Sequence, residues 1–213
     1  MKRLLLIVSF FVWGFSYIGA QIMSEETQAV YDACTKMSSA IGSGNTTELK
    51  SANLALKKCN ISSFSSLRCV SDNPLMLDGH FVFNEEFVDS LIAGRNVYKF
   101  AQRYAVTHGS RGTTSSGKVF MRNCAVRASQ SEKFIFVSRG HQELAVVAEP
   151  GGLITLRIHD KTNDVWHNDT RDVKKGQSSR IHVFDLPSDK RNTLEVEVIN
   201  CGMNDCSFVV ISN

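Results

Sequence analysis

Apolar residues recur at helical spacing in the first half of this chain and at alternating spacing in the second, and that change of period divides the molecule. Between Ser24 and Ile41 the positions Ala29, Val30, Ala33, Met37 and Ile41 fall along one side of a helix. Ser24 stands where an N-cap is needed, and Glu25 and Glu26 occupy the first turn, where the helix dipole favours negative charge. Gly42-Ser43-Gly44 ends that helix. A second opens at a cap-like Asn45 or Thr46 and keeps Leu49, Ala52, Leu56 and Cys59 on one face, with Lys57 and Lys58 near its C-terminus. The pair predicts a helical hairpin. Residues 60–78, rich in serine and carrying Pro74, read as an irregular crossing segment with little regular structure. Phe81, Phe83, Phe87, Val88, Leu91 and Ile92 then form a dense apolar patch, with Asn84 placed to cap a helix from Glu85. Val97, Tyr98, Ala101 and Ala105 extend the helical reading past Gly94, and a strand at 80–83 is the alternative at its start.

Residues 108–117 have almost nothing to bury and read as an exposed loop. Beyond Lys118 the texture becomes β-type, in runs 118–127, 132–138, 143–148, 153–160, 164–168, 178–185, 193–200 and 207–212. Leu194, Val196 and Val198 alternate with Glu195 and Glu197, and Ile181 and Val183 with Arg180 and His182. Pro150-Gly151-Gly152 makes one tight connection and residues 187–192 another. The predicted fold class is α+β. A helical hairpin and helical segment (21–107) and an exposed loop (108–117) precede an antiparallel, jelly-roll-like β-sandwich (118–213) of about eight strands.

Residues 1–20 change the picture of the rest. Lys2 and Arg3, an apolar core from Leu4 to Ile18 and the small residues Gly19 and Ala20 make a secretory signal, which places the mature chain in the periplasm, at the cell surface or outside the cell. The run is shorter than the roughly 20 residues that cross a bilayer, so no membrane span is expected after cleavage. Cleavage removes two of the 24 Lys+Arg and none of the 21 Asp+Glu, which leaves a nearly neutral chain. With no basic cluster interleaved with aromatics, nucleic acid is not an expected partner.

All six cysteines, Cys34, Cys59, Cys69, Cys124, Cys201 and Cys206, follow the signal, and an even count in an oxidising compartment points to disulfides. Cys201 and Cys206 bracket turn formers between two β-runs and read as a hairpin tip clipped by a bond. The other four allow three pairings. Cys34 and Cys59 would sit about two helical turns out of step in the hairpin, so joining them requires the chain to curl back after Lys58.

The runs Gly152–Asp169, Ile181–Pro187, Leu194–Val198 and Phe208–Ile211 resemble the bacterial pre-peptidase C-terminal domain, a galactose-binding-like jelly roll, over roughly residues 140–213. The resemblance implies an accessory module that binds carbohydrate or matrix. No peptidase domain precedes it here, so a protease-tail role does not carry over, and no functional residue is transferred.

Candidate chemistry is sparse. Asp160, Asn163 and Asp164, with Asn168, Asp169 and Asp172 nearby, offer the hard oxygens that calcium takes, although β-turns use the same residues. Trp166, His167, Asn168 and Asp169 form the candidate ligand surface. A strand tryptophan is expected in the sandwich core, and the alternative is an exposed indole stacking on a sugar. His159 and His167 face each other as a weak metal pair if their strands form a hairpin, and His182 is expected on the opposite, solvent side. No HExxH or GxSxG occurs, Ser115–Lys118 meets the SxxK spacing without its companions, and Glu85 and Glu86 diverge on a helix. The expected function is a secreted, non-catalytic binding or accessory module for a glycan or secreted protein, with no cofactor beyond the calcium candidate. The alternatives are an inhibitor or assembly factor docking through Phe81, Phe83 and Phe87, or a hydrolase with a cleft between the two halves.

Overall fold

In the computed structural model, residues 23–71, 75, 83, 85–94, 119–168 and 176–213 are described. Helix α1 (Glu25–Ser43) starts where Ser24 Oγ accepts the Thr27 N–H and stops at Gly44, whose left-handed backbone, φ 70°, lets its N–H return to the Ala40 and Ile41 carbonyls. Asn45 performs the same capping for α2 (Thr46–Lys58), accepting the Glu48 N–H at 3.1 Å. The helical hairpin of the sequence pattern is therefore present. Helix α3 spans Glu85–Ile92, while Asn84, the loop at 108–117 and residues 95–107 lie outside the described residues.

Among the described residues ten strands follow one another as β1 (Ile61–Ser63), β2 (Arg68–Cys69), β3 (Val119–Val126), β4 (Ser131–Ser138), β5 (His141–Ala148), β6 (Ile154–Asp160), β7 (Val165–Asn168), β8 (Ser179–Asp185), β9 (Asn192–Asn200) and β10 (Cys206–Ser212). The first sheet has the order β1-β3-β10-β5-β8 and the second β2-β4-β9-β6-β7. From β3 to β10 the chain changes sheet at every step except the β6–β7 hairpin, the order of a jelly roll. The eight strands read from alternation are β3 to β10.

Two expectations need correction. Within its described part the crossing segment holds two short strands that were not expected: it lends β1 to the first sheet, parallel to β3, and β2 to the second, antiparallel to β4. Strands of three and two residues are too short to show a period. Nor is 201–206 a hairpin tip, because β9 and β10 belong to different sheets and the connection crosses the end of the sandwich. All six cysteines are thiols in this structure.

Two apolar layers result. Phe134, Leu156, Val196, Phe208 and their neighbours fill the space between the sheets, and Val30, Met37, Leu49, Val88, Val147 and Ile211 fill the space between the first sheet and the helices. β5 and β10 are covered on both faces, which is why Leu144–Ala148 and Phe208–Ile211 are unbroken apolar runs. β9 alternates strictly between buried and half-exposed residues, because no described element covers the outer face of the second sheet. Helix α1 is tied down by Glu143 on β5, 2% exposed, whose carboxylate accepts the Ser24 N–H at 2.6 Å and the Ser24 hydroxyl at 2.8 Å.

Candidate functional site

The open face of the second sheet gathers the polar residues that strand alternation turns away from the core. Lys133 on β4 and Lys161 after β6 reach Glu195 on β9 at 3.2 and 3.3 Å. Burial raises the Glu195 pKa, but hydrogen bonds and charge from the two lysines outweigh it and hold the carboxyl below its ordinary range. Arg157 on β6 pairs with Glu197 at 3.1 Å, and Ser131 donates to the same carboxylate at 2.9 Å. At the edge of this band lies Trp166 on β7. The His159 ring stacks on its indole, with centroids 4.4 Å apart and planes 8° from parallel, and the Arg157 guanidinium carbon lies 4.4 Å from the indole centre. His159 Nε2 also meets Asp164 Oδ1 at 2.9 Å.

Trp166 is 41% exposed, so the core placement expected for it is overturned. The cause is a register shift in the β6–β7 ladder: Ile158 pairs with Asn168 while the next residue, His159, pairs with Trp166, leaving His167 as the extra residue. His167 turns to the core side, where its ring stacks on Phe184 at 4.4 Å and burial lowers its pKa. His159 and His167 therefore occupy opposite faces, and the two-histidine metal pair does not form. Asn168 is described through its backbone pairing, and Asp169 and Asp172 lie outside the described residues.

His182 also departs from its expected solvent position. It is the partner of Leu144, which lies in the layer between the sheets, and it is Ile181 that is exposed. Burial, with the Arg180 charge adding to it, pushes the His182 imidazole down to about 4. A folded-state pKa below the unfolded value of about 6.5 means that the unfolded chain binds the proton more readily. Stability is then fully present above pH ~6.5 and declines as the pH falls towards ~4, by about 1–2 kcal/mol after solvent screening. Urea unfolding at several pH values is expected to show this slope in the natural protein and a flatter one in His182→Asn.

The three proposed calcium ligands Asp160, Asn163 and Asp164 are engaged with protein groups. Asp160, 1% exposed, accepts the Thr162 and Asn163 N–H groups at 2.9 and 3.2 Å with one oxygen and the Asn163 side-chain amide at 2.6 Å with the other. Lys190 Nζ donates to Asn163 Oδ1 at 2.6 Å, so that oxygen already faces an ammonium, and Asp164 meets His159. These residues build the β6–β7 turn. Among the described residues no group of three or more His, Cys, Asp or Glu is arranged to hold a metal.

A cavity of about 380 Å³ lies where α1 meets the edge of the first sheet, lined by Thr35, Ser38, Ser39 and Ser178 with Val147 and Pro150. Its described lining contains no acid or base for the hydrolase alternative. Phe83 and Phe87 are buried under the helices, at 3% and 8% exposure, and do not form the docking patch expected of them, while Phe81 lies outside the described residues. Among the described residues no helix is long and apolar enough to cross a membrane.

No family model matches this chain, and no curated protein does. Among solved structures it is similar to a mitogen from Yersinia pseudotuberculosis, with 8% identity over 45% of this chain and 85% of the other and a TM-score of 0.34. It is also similar to PliG of Salmonella Typhimurium, a periplasmic inhibitor of g-type lysozyme, with 11% identity over 47% of this chain and 91% of the other and a TM-score of 0.30. Neither is described as a pre-peptidase C-terminal domain.

Proposed function

We propose that this chain is a non-catalytic binding module, acting outside the cytoplasm, whose contact surface is the open face of the second sheet around Trp166. One observation carries the reading. Among the described residues the helices cover one outer face of the sandwich and nothing covers the other, and that second face presents a 41% exposed tryptophan on its edge strand, against Arg157 and His159 of β6. Tryptophan and arginine are the side chains most enriched among residues that dominate protein interfaces, and a rim of charged pairs such as Lys133–Glu195 supplies orientation. A protein partner fits this surface better than a sugar. Sugar stacking draws on a free ring face, whereas here His159 lies stacked on the indole and Arg157 stands against it.

The test compares the natural protein with Trp166→Ala as bait against the secreted fraction of the source cells, with a glycan array in parallel. A protein retained by the natural bait is expected to bind Trp166→Ala at least tenfold more weakly, while the substitution costs about 1 kcal/mol of stability because the ring lies at a sheet edge. Equal retention by both baits would place the contact surface elsewhere. Binding to glycans alone, lost in Trp166→Ala, would make the module a sugar binder.

A further inference from the structure

We propose that the oxidised protein carries the disulfides Cys34–Cys59, across the helical hairpin, and Cys69–Cys124, across the two sheets. The first sheet separates the four thiols into two compartments. Cys34 is buried in the layer between that sheet and the helices, and Cys59 packs against the same layer. Cys124 is buried in the layer between the sheets, and Cys69 packs against that one. Two of the three possible pairings would have to thread a bond through a hydrogen-bonded sheet. Only the proposed one keeps each bond within one layer.

Local geometry agrees at both places. The out-of-step positions of Cys34 and Cys59 are reconciled because α2 ends at Lys58 and Cys59 adopts extended backbone, φ −77° and ψ 140°, with Sγ directed back to the Ala55 carbonyl at 3.3 Å. That is the curl the sequence required. In the sandwich, Cys69 is the cross-strand partner of Phe134 and Cys124 that of Phe208, and the rings of these phenylalanines meet edge-on at 6.0 Å across the core. The two cysteines thus project into the same part of the interior from opposite sheets. Burial raises the pKa of both Cys34 and Cys124; the Cys59 thiol adds to the first rise, and Cys69, against the opposing Arg122 charge, to the second. Cys206 is the rival partner for Cys124, but it stands opposite Val126, diagonal to Cys124 on the neighbouring strand. Diagonal Cα atoms are roughly 7–8 Å apart, beyond ordinary disulfide reach.

Each bond forms as two thiols lose two protons and two electrons. The electrons pass by thiolate exchange to a disulfide acceptor, glutathione disulfide or a thiol–disulfide oxidoreductase, which is reduced to two thiols. Both bonds fasten the β1–β2 side of the molecule and leave the β7–β8 side, with Trp166, unstapled.

Trypsin separates the four cysteines, because Lys36, Lys58, Arg68 and Arg122 all lie between them. The full chain is refolded with glutathione and glutathione disulfide, its remaining thiols are alkylated, and it is digested without reduction. The expected products are the Cys59–Arg68 peptide joined to the peptide ending at Lys36, and the Asn123–Arg127 peptide joined to the one beginning at Cys69. In Cys34→Ser the peptide from Cys59 is expected alkylated and the Cys69–Cys124 link intact, and reduction of the natural protein is expected to lower its melting midpoint by roughly 10 °C. A link from Cys34 to Cys69 or Cys124, a Cys124–Cys206 link, or alkylation of all four in the folded protein overturns the proposal.

Discussion

Phe208→Ala is expected to destabilise the protein by about 4 kcal/mol and to lower its melting midpoint by roughly 10 °C. The residue is fully buried on β10, the central strand of the first sheet, which pairs with both β3 and β5, and its ring projects into the layer between the sheets. It meets Phe134 of the second sheet edge-on at 6.0 Å, and truncation would remove both the transferred apolar surface and that aromatic contact. A strand held on both sides closes poorly over the cavity left behind. Calorimetry of Phe208→Ala beside Val137→Ala, a position 53% exposed on the open face, checks this. The second variant is expected to lose less than about 0.5 kcal/mol. Similar small losses for both would mean that β10 does not carry the core in this register.

Glu143→Leu is expected to cost about 2–3 kcal/mol, because the Ser24 N–H and hydroxyl at the start of α1 lose a charged acceptor in a poorly solvated place. Burial works against the ionised carboxyl. Hydrogen bonds from Thr27 and Ser24, with the nearby His141, outweigh that effect and hold the Glu143 pKa below its ordinary value. The sign follows from linkage. A carboxyl with a depressed folded-state pKa stabilises the protein above the unfolded value of about 4.3, and the benefit is lost as the pH falls through the folded value. The stability gap between the natural protein and Glu143→Leu, measured by urea unfolding, is therefore expected to be widest at neutral pH and to close in acid. A gap that stays constant below pH ~4 would show that Glu143 acts through packing instead of charge.

Glu143 also shows where reading the sequence stops. It precedes an apolar run that is plain in the sequence, yet nothing near it points to Ser24, which lies 119 residues away in the chain. Ser24 itself was legible as an N-cap because capping depends only on the residues that follow it. The same contrast holds at the candidate site. The segment around Trp166 stood out by composition, but the face each residue occupies turns on the one-residue shift at His167, and a shift of one inverts every assignment beyond it. β1 and β2 were hidden in a serine-rich stretch because two or three residues of strand are recognised only by the neighbours they pair with.

The two helices of the hairpin with their caps, the eight main strands to within a residue or two, and the α+β class are legible in the chain, since periodicity and turn chemistry are written within a few consecutive residues. Long-range contacts set which sheet each strand joins, that among the described residues the helices cover the first sheet and not the second, that Trp166 faces outward and His167 and His182 inward, and which thiols share a layer. These depend on hydrogen bonds and apolar contacts between residues far apart in the chain, and local spacing carries no record of them.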